Sequence, residues 1–377
     1  MKKNRIIQMI ICIISFVLLS CDKTPVGYNE LERDISEATF IELRTNERYC
    51  YGKYIPLGVA SNMVLGKNDN YEARILMQFP LGDSLLDSVQ TVKLILYPKV
   101  HKDIGFKIHP VIKSSEWRQS FATWIRMDEN VPWLTDGGDY YPTVLAETTL
   151  TQDSIVIELP RNKLDTLVNH ANGIILIPDN TVSDFALIHS REKVPKITYQ
   201  YYNSTAIYTF SASERCHILD TTNLDLGMFD YWVGSGFTYR TLLRFPVKES
   251  LPANVTIAYA ELLLPVAHEF SILDTMQVGV KKILDSLPFG MSTRFADYFW
   301  ARADYVLRTD SLIVIDVRNI VQFWNKFNGT QNRPDSCYGI LVSNYPEEYG
   351  LSRLQLKTSA PGIRLKIGYI NPPKGRF

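Results

Sequence analysis

Apolar and polar side chains alternate with a period of two along much of this chain. Ile75, Met77 and Phe79 alternate with Arg74, Leu76 and Gln78, and Ile197, Tyr199 and Tyr201 alternate with Lys196, Thr198 and Gln200. Ile363, Leu365 and Ile367 do the same against Arg364, Lys366 and Gly368. A period of two puts one face of a strand on a core and the other in water, as in antiparallel sheets. About eight such runs can be marked in each half of the chain, separated by Gly, Asn, Asp and Pro turns. A helical period occurs once per half, at Leu164, Leu167 and Val168 and again at Ile320, Val321 and Trp324. One helix between strands cannot build βαβ units. The pattern therefore predicts an all-β protein: two tandem jelly-roll-like β-sandwich domains, each with one short helix.

The two halves are copies. Glu47-Arg48-Tyr49-Cys50 returns as Glu214-Arg215-Cys216-His217, at an offset of 167 residues. Phe79-Pro80 returns as Phe245-Pro246, and Gly173-Ile174-Ile175-Leu176 as Gly339-Ile340-Leu341-Val342, both at 166. A register this steady over so long a span marks an internal repeat. The expected division is residues 37–202 for the first domain and 203–377 for the second, meeting near Tyr202-Asn203-Ser204-Thr205.

Residues 1–21 read as a lipoprotein signal peptide. Lys2, Lys3 and Arg5 precede an apolar run of 14 residues, Ile6 to Leu19, which is short for a membrane span. The run ends Leu18-Leu19-Ser20-Cys21, which resembles the bacterial lipobox. That resemblance implies cleavage before Cys21 and lipid on its thiol and new amino group; ordinary cleavage nearby is the other reading. Several acyl chains would anchor the protein stably where one would not. Residues 22–36 then form a tether reaching roughly 50 Å when extended, which keeps the first domain near the membrane. Only Cys50, Cys216 and Cys337 remain, without Cys-x-x-Cys spacing, so neither a disulfide framework nor a thiolate zinc site is expected. Cys50 and Cys216 fall at matching places in the copies, as small buried side chains; a Cys216–Cys337 bridge stays open.

The first copy carries Arg74-Ile75-Leu76-Met77-Gln78-Phe79, Glu116-Trp117, Ala122-Thr123-Trp124, Trp133-Leu134-Thr135-Asp136-Gly137-Gly138-Asp139, and later Ser190-Arg191-Glu192. In this order they resemble the DNRLRE domain, a β-sandwich module close to carbohydrate-binding module family 96, found on secreted bacterial proteins and polysaccharide lyases. The resemblance covers roughly residues 37 to 202 and implies a sugar-binding role. The second copy departs from it. Trp133 has its counterpart in Trp300, but the places of Trp117 and Trp124 fall near Leu284 and Met291, and Gly-Gly-Asp is missing. Asp followed by Ser or Thr at Asp83, Asp87, Asp153, Asp165, Asp220, Asp274, Asp285, Asp310 and Asp335 is similar to an O-glycosylation signal of Bacteroidetes-type bacteria. The plainer reading is a turn before a strand.

Candidate chemistry gathers between two predicted strands of the first copy. Trp117, Trp124, Tyr140 and Tyr141 offer flat faces for sugar rings, or else plug the end of the sandwich under a long loop. Asp136 and Asp139, around two glycines, could hold a structural calcium or simply make a solvated turn. Arg191 beside Glu192 could grip a uronic acid carboxylate or close a strand end. No hydrolase or phosphate-loop motif occurs, and no catalytic residue can be named. With 40 basic and 40 acidic residues the net charge is zero, which excludes a nucleic-acid binder driven by bulk charge. The sequence thus reads as a non-catalytic lipoprotein, lipid-anchored in the cell membrane or outer membrane and periplasmic or surface-exposed. It would bind polysaccharide through its first domain. The alternative is a structural or adhesive component of a cell-envelope assembly with envelope protein partners; a lyase or hydrolase is the third.

Overall fold

A computed structural model describes residues 38–81, 89–100, 102–169, 171–221, 231–327 and 339–371. The expected signal peptide, Cys21 and tether, together with Cys337, Asp83, Asp87 and Asp335, lie outside them. The protein is all-β. β1 (Thr39–Arg44) and β2 (Glu47–Tyr54) form an amino-terminal ribbon. Residues 55–61 then lead into β3 (Asn62–Lys67), β4 (Glu72–Gln78), β5 (Val89–Leu96), β6 (Pro98–Val100) and β7 (Ile104–Ile112). A long connection carries the small hairpin β8 (Arg126–Asp128) and β9 (Val131–Pro132). It is followed by β10 (Ala146–Leu150), β11 (Ile155–Leu159), α1 (Leu164–Asn169), β12 (Ala171–Pro178), β13 (Phe185–His189) and β14 (Lys196–Tyr201). β15 (Ile207–Ser211) and β16 (Glu214–Asp220) come next. The remainder is β17 (Tyr231–Ser235), β18 (Phe237–Arg244), α2 (Val247–Ser250), β19 (Thr256–Ser271), β20 (Thr275–Lys282) and β21 (Ala301–Val306). It closes with β22 (Leu312–Asp316), α3 (Arg318–Phe327), β23 (Ile340–Asn344), β24 (Ser352–Leu356) and β25 (Arg364–Ile370).

The alternation read from sequence becomes two hydrophobic cores. One lies between a sheet ordered β10-β7-β12-β4-β3-β13-β6 and a sheet ordered β11-β5-β14-β15. Ile75 and Met77 from the first meet Leu94, Ile157 and Ile197 from the second. The other core repeats this pairing with β21-β20-β23-β18-β17-β24 and β22-β19-β25-β1, the long β19 running through both sheets. The registers match as well: Ile175 lies opposite Leu76, and Leu341 opposite Leu242.

The repeat boundary does not coincide with a boundary in strand pairing. The turn at 202–206 is a hairpin turn that lays β15 against β14, with Phe210 opposite Ile197. β16 continues onto β4, Cys216 opposite Leu76. The ribbon that opens the first copy goes the other way. β1 pairs with β25, Leu43 opposite Leu365, and β2 pairs with β18, Tyr49 opposite Leu242. Each copy's opening ribbon thus completes the other copy's sandwich. The first sandwich is residues 62–220, and the second is residues 231–370 together with 39–54.

The register also corrects the cysteine alignment. Tyr49, not Cys50, is the partner position of Cys216, while Cys50 corresponds to His217. Cys216 is a buried free thiol whose pKa is pushed up by that burial. Cys50 Sγ accepts from the Trp232 amide at 3.3 Å. A third apolar cluster joins the sandwiches: Val64, Phe185 and Leu187 from the first meet Trp232, Phe237 and Leu351 from the second. Tyr71 stacks on Phe270 at 5.3 Å, and the Arg353 guanidinium lies 4.8 Å from the Trp232 ring. Among the Asp-Ser/Thr positions, Ser154, Thr275, Ser286 and Ser311 are exposed, and Asp310 Oδ2 accepts from the Val306 amide within the β21–β22 turn.

Candidate functional site

The connection between β7 and β10 covers the outer face of the first sandwich. Trp117 is 1 % exposed and Trp124 5 %, packed with Trp133 against Leu76, Ile175, Cys216 and Ile218. The Trp117 indole N–H donates to the Asn172 carbonyl at 3.0 Å, and that of Trp133 to the Thr123 carbonyl at 2.8 Å. Neither Trp117 nor Trp124 presents a ring to a ligand; both are core residues of the covered face. Asp139 is buried and fully engaged. Its Oδ1 accepts from the Thr135 amide at 2.8 Å, and its Oδ2 accepts from the Leu134 amide at 3.0 Å and the Ser115 hydroxyl at 3.1 Å. The carboxylate ties the Gly-Gly turn to the loop from within. Asp136 is exposed on the same turn. Among the described residues, no group of three or more His, Cys, Asp or Glu is placed to hold a metal ion.

Tyr140 and Tyr141 are half-buried at the rim. Arg74 lies 4.6 Å from the Trp124 ring and 6.0 Å from that of Tyr140, and the His109 ring is 5.0 Å from Tyr140. Burial holds the His109 pKa below its ordinary value. Arg191 is exposed on the turn after β13, where its charge acts on Arg215. A hollow of about 340 Å³ lies over Leu134, Thr135 and Tyr140.

The equivalent face of the second sandwich is built from the same parts under a shorter connection. Lys281 stands opposite Leu341 as His109 stands opposite Ile175. Phe295 bridges Ile283 as Tyr140 bridges Val111. Arg240 lies 5.0 Å from the Phe295 ring, in the place of Arg74. The Trp300 amide donates to the Val280 carbonyl as the Leu145 amide does to that of Ile108. Trp300 therefore replaces Leu145 and is not the counterpart of Trp133. The connection here is far shorter, and it does carry rings: Phe289, Phe295, Tyr298 and Phe299.

Phe289 and Phe295, with Tyr49 and Tyr51 from the amino-terminal ribbon, bury Leu242, Ile283 and Leu341 beneath them. Phe299 packs close against β20 because position 279 is glycine; a Cβ there would sit 2.3 Å from the ring. Lys281 is 4.7 Å from the Phe299 ring, and Arg302 is 3.4 Å from that of Tyr345, which meets Phe299 edge-on at 4.9 Å. Arg240 is held by a bidentate pair with Glu347, at 2.8 and 2.6 Å. Burial lowers the Lys281 pKa. Phe295, Phe299, Tyr345 and Tyr49 are all half-exposed. Half-exposed rings edged by cations, carboxylates and hydroxyls can stack on a saccharide ring while hydrogen-bonding its hydroxyls. The sequence reading passed over these residues because it aligned Trp133 with Trp300. The pairs Arg74/Arg240 and Phe79/Phe245, at one offset, were the signal that could have anchored the face correctly.

A second concavity, a cleft of about 730 Å³, runs between the sandwiches. Its polar groups are largely committed to one another. Lys102 pairs with Asp184 at 2.7 Å, and Glu269 accepts from the Tyr305 hydroxyl and the Arg308 amide, each at 2.6 Å.

Among the described residues, no helix is long and apolar enough to cross a membrane. No protein-family model matches the chain, and no curated protein matches it.

Proposed function

We propose that this is a non-catalytic, lipid-anchored envelope protein that binds polysaccharide, and that its binding surface is the ring-bearing outer face of the second sandwich. The observation that carries the reading is the contrast between two equivalent faces. Buried Trp117, Trp124 and Trp133 cover one, while the cover of the other includes the partly exposed rings of Phe295, Phe299 and Tyr345 beside Lys281, Arg302 and Arg240. Flat apolar faces with a polar rim suit sugar rings, and Lys281 and Arg302 supply donors for hydroxyls. The lipobox-like Leu-Leu-Ser-Cys21 supports a membrane-held location.

Affinity electrophoresis of the chain without its signal peptide, on gels containing neutral and acidic polysaccharides, tests this. Retardation on at least one gel is expected, and it should be lost in Phe299→Ala and Arg302→Ala variants whose thermal unfolding is unchanged. Retardation that survives both substitutions would remove the face from the proposal, and migration unaffected by every polysaccharide would remove the ligand class. The interlocking of the two sandwiches through exchanged ribbons favours a second reading, a structural or adhesive component of an envelope assembly. Cross-linking in intact cells that joins it to envelope proteins, with no glycan retardation, would select that reading.

A further inference from the structure

The second sandwich is completed by a segment remote in sequence. β1 lies along β25 over Thr39–Arg44, and β2 lies along β18 over Glu47–Tyr54, with every position of both strands in register. The ribbon brings Leu43 into the second core and Tyr51 and Tyr49 onto the outer face. On its carboxyl side only the seven residues 55–61 join it to the first sandwich. The first sandwich shows the same acceptor edges filled by β15 and β16, which follow β14 without a break. The two ribbons are therefore not equivalent. One is continuous with its acceptor, while the other reaches an acceptor that is complete only when a distant part of the chain docks on it.

We propose that the amino-terminal ribbon is a donor element, able to complete the second sandwich of a second copy of this chain, the monomer being its self-complemented form. The contacts that seat it, the backbone ladders on β25 and β18 and the packing of Leu43 and Tyr51, are the same whichever copy supplies the ribbon. Strand addition of this kind draws its affinity from main-chain hydrogen bonds along exposed edges. Closure within one chain is decided by the 55–61 connector. It is short and packed: Leu57 and Ala60 are buried, and a Cβ on Gly58 would lie 2.3 Å from the Gln119 carbonyl oxygen. A connector that cannot span the distance leaves the ribbon nowhere to dock except on another copy, which is how short hinges produce swapped oligomers. In such an assembly Tyr49 and Tyr51 come from one copy while Arg240, Phe295 and Phe299 come from the other, so the face is shared between subunits. The inference does not depend on what that face binds.

The test uses Glu42 and Lys366, which stand opposite each other on β1 and β25. A chain with Glu42→Cys and Lys366→Cys should form an internal bridge, which reports a seated ribbon. A chain that also lacks Leu57, Gly58 and Val59 should change from monomer to twice the mass or more by light scattering, with the bridge now between chains. Two full-length chains, tagged differently and carrying one of the two introduced cysteines each, are refolded together as the second measurement, and a mixed disulfide between Glu42→Cys and Lys366→Cys is expected. A shortened chain that stays monomeric with its bridge internal overturns the proposal. So does co-refolding at high concentration that yields no mixed disulfide while the double variant bridges internally.

Discussion

His217 gives the sharpest quantitative test of the first sandwich. It sits on β16 opposite Ile75, is 1 % exposed, and neither ring nitrogen has a hydrogen-bond partner. Burial pushes its pKa down to about 3. The folded state therefore holds it neutral at a pH where the unfolded chain, with a pKa of about 6.5, takes up a proton. Since the unfolded state binds more protons, stability falls as pH falls below about 6.5, and the loss levels off below about pH 3. At pH 5 the expected loss is about 2 kcal/mol relative to pH 8. That figure follows from the unfolded pKa alone, provided the folded one lies well below 5. In His217→Leu no ring is left to titrate. Urea unfolding of both proteins at pH 8 and pH 5, followed by tryptophan fluorescence, should show wild type losing about 2 kcal/mol more than the variant. His109 and His189, whose pKa values burial also lowers, are present in both proteins and cancel. Equal losses in the two proteins would mean that His217 is protonated or hydrogen-bonded when folded, and the packing argument for β16 would fail.

Trp117→Ala should cost roughly 3–5 kcal/mol in urea unfolding, because it removes a fully buried indole and its hydrogen bond to Asn172; a stable variant with altered glycan retardation would return Trp117 to the surface. Asp139→Ala should destabilise by about 2–4 kcal/mol, since three donors lose a buried carboxylate. Chelator should leave the melting temperature unchanged, and a shift restored by calcium would make the turn a metal site. Residues 60–221 expressed alone should give a cooperatively melting monomer, while 231–377 should not, because it has neither β1 and β2 nor the equivalent β15 and β16 to fill its edges. A well-folded 231–377 would refute the requirement for the ribbon.

The alternation at Ile75–Phe79, Ile197–Tyr201 and Ile363–Ile367 made the strands legible, and the fixed offset made the duplication legible. Partner choice was not legible, for a physical reason. Equivalent ribbons on equivalent edges satisfy the same pattern whether each stays in its own copy or crosses to the other, so periodicity carries no information about the crossing. The aromatic loop misled for a different reason. Trp117 and Trp124 have the composition of a binding platform, and only the distance to Leu76 and Ile175 decides whether a ring covers a sheet or waits for a ligand. Shortening between Ile283 and Phe295 then shifted the alignment, which put Trp300 in the wrong place and hid Phe299 and Tyr345.

Under the proposed lipid anchor, the docking of β1 on β25 would also order the two sandwiches above a bilayer. A chain emerging from a lipidated Cys21 would first enter the carboxyl-terminal sandwich, because β1 pairs with β25. With an anchored amino terminus, residues 62–220 would form the outermost tier, and the half that is translated last would stand next to the lipid headgroups.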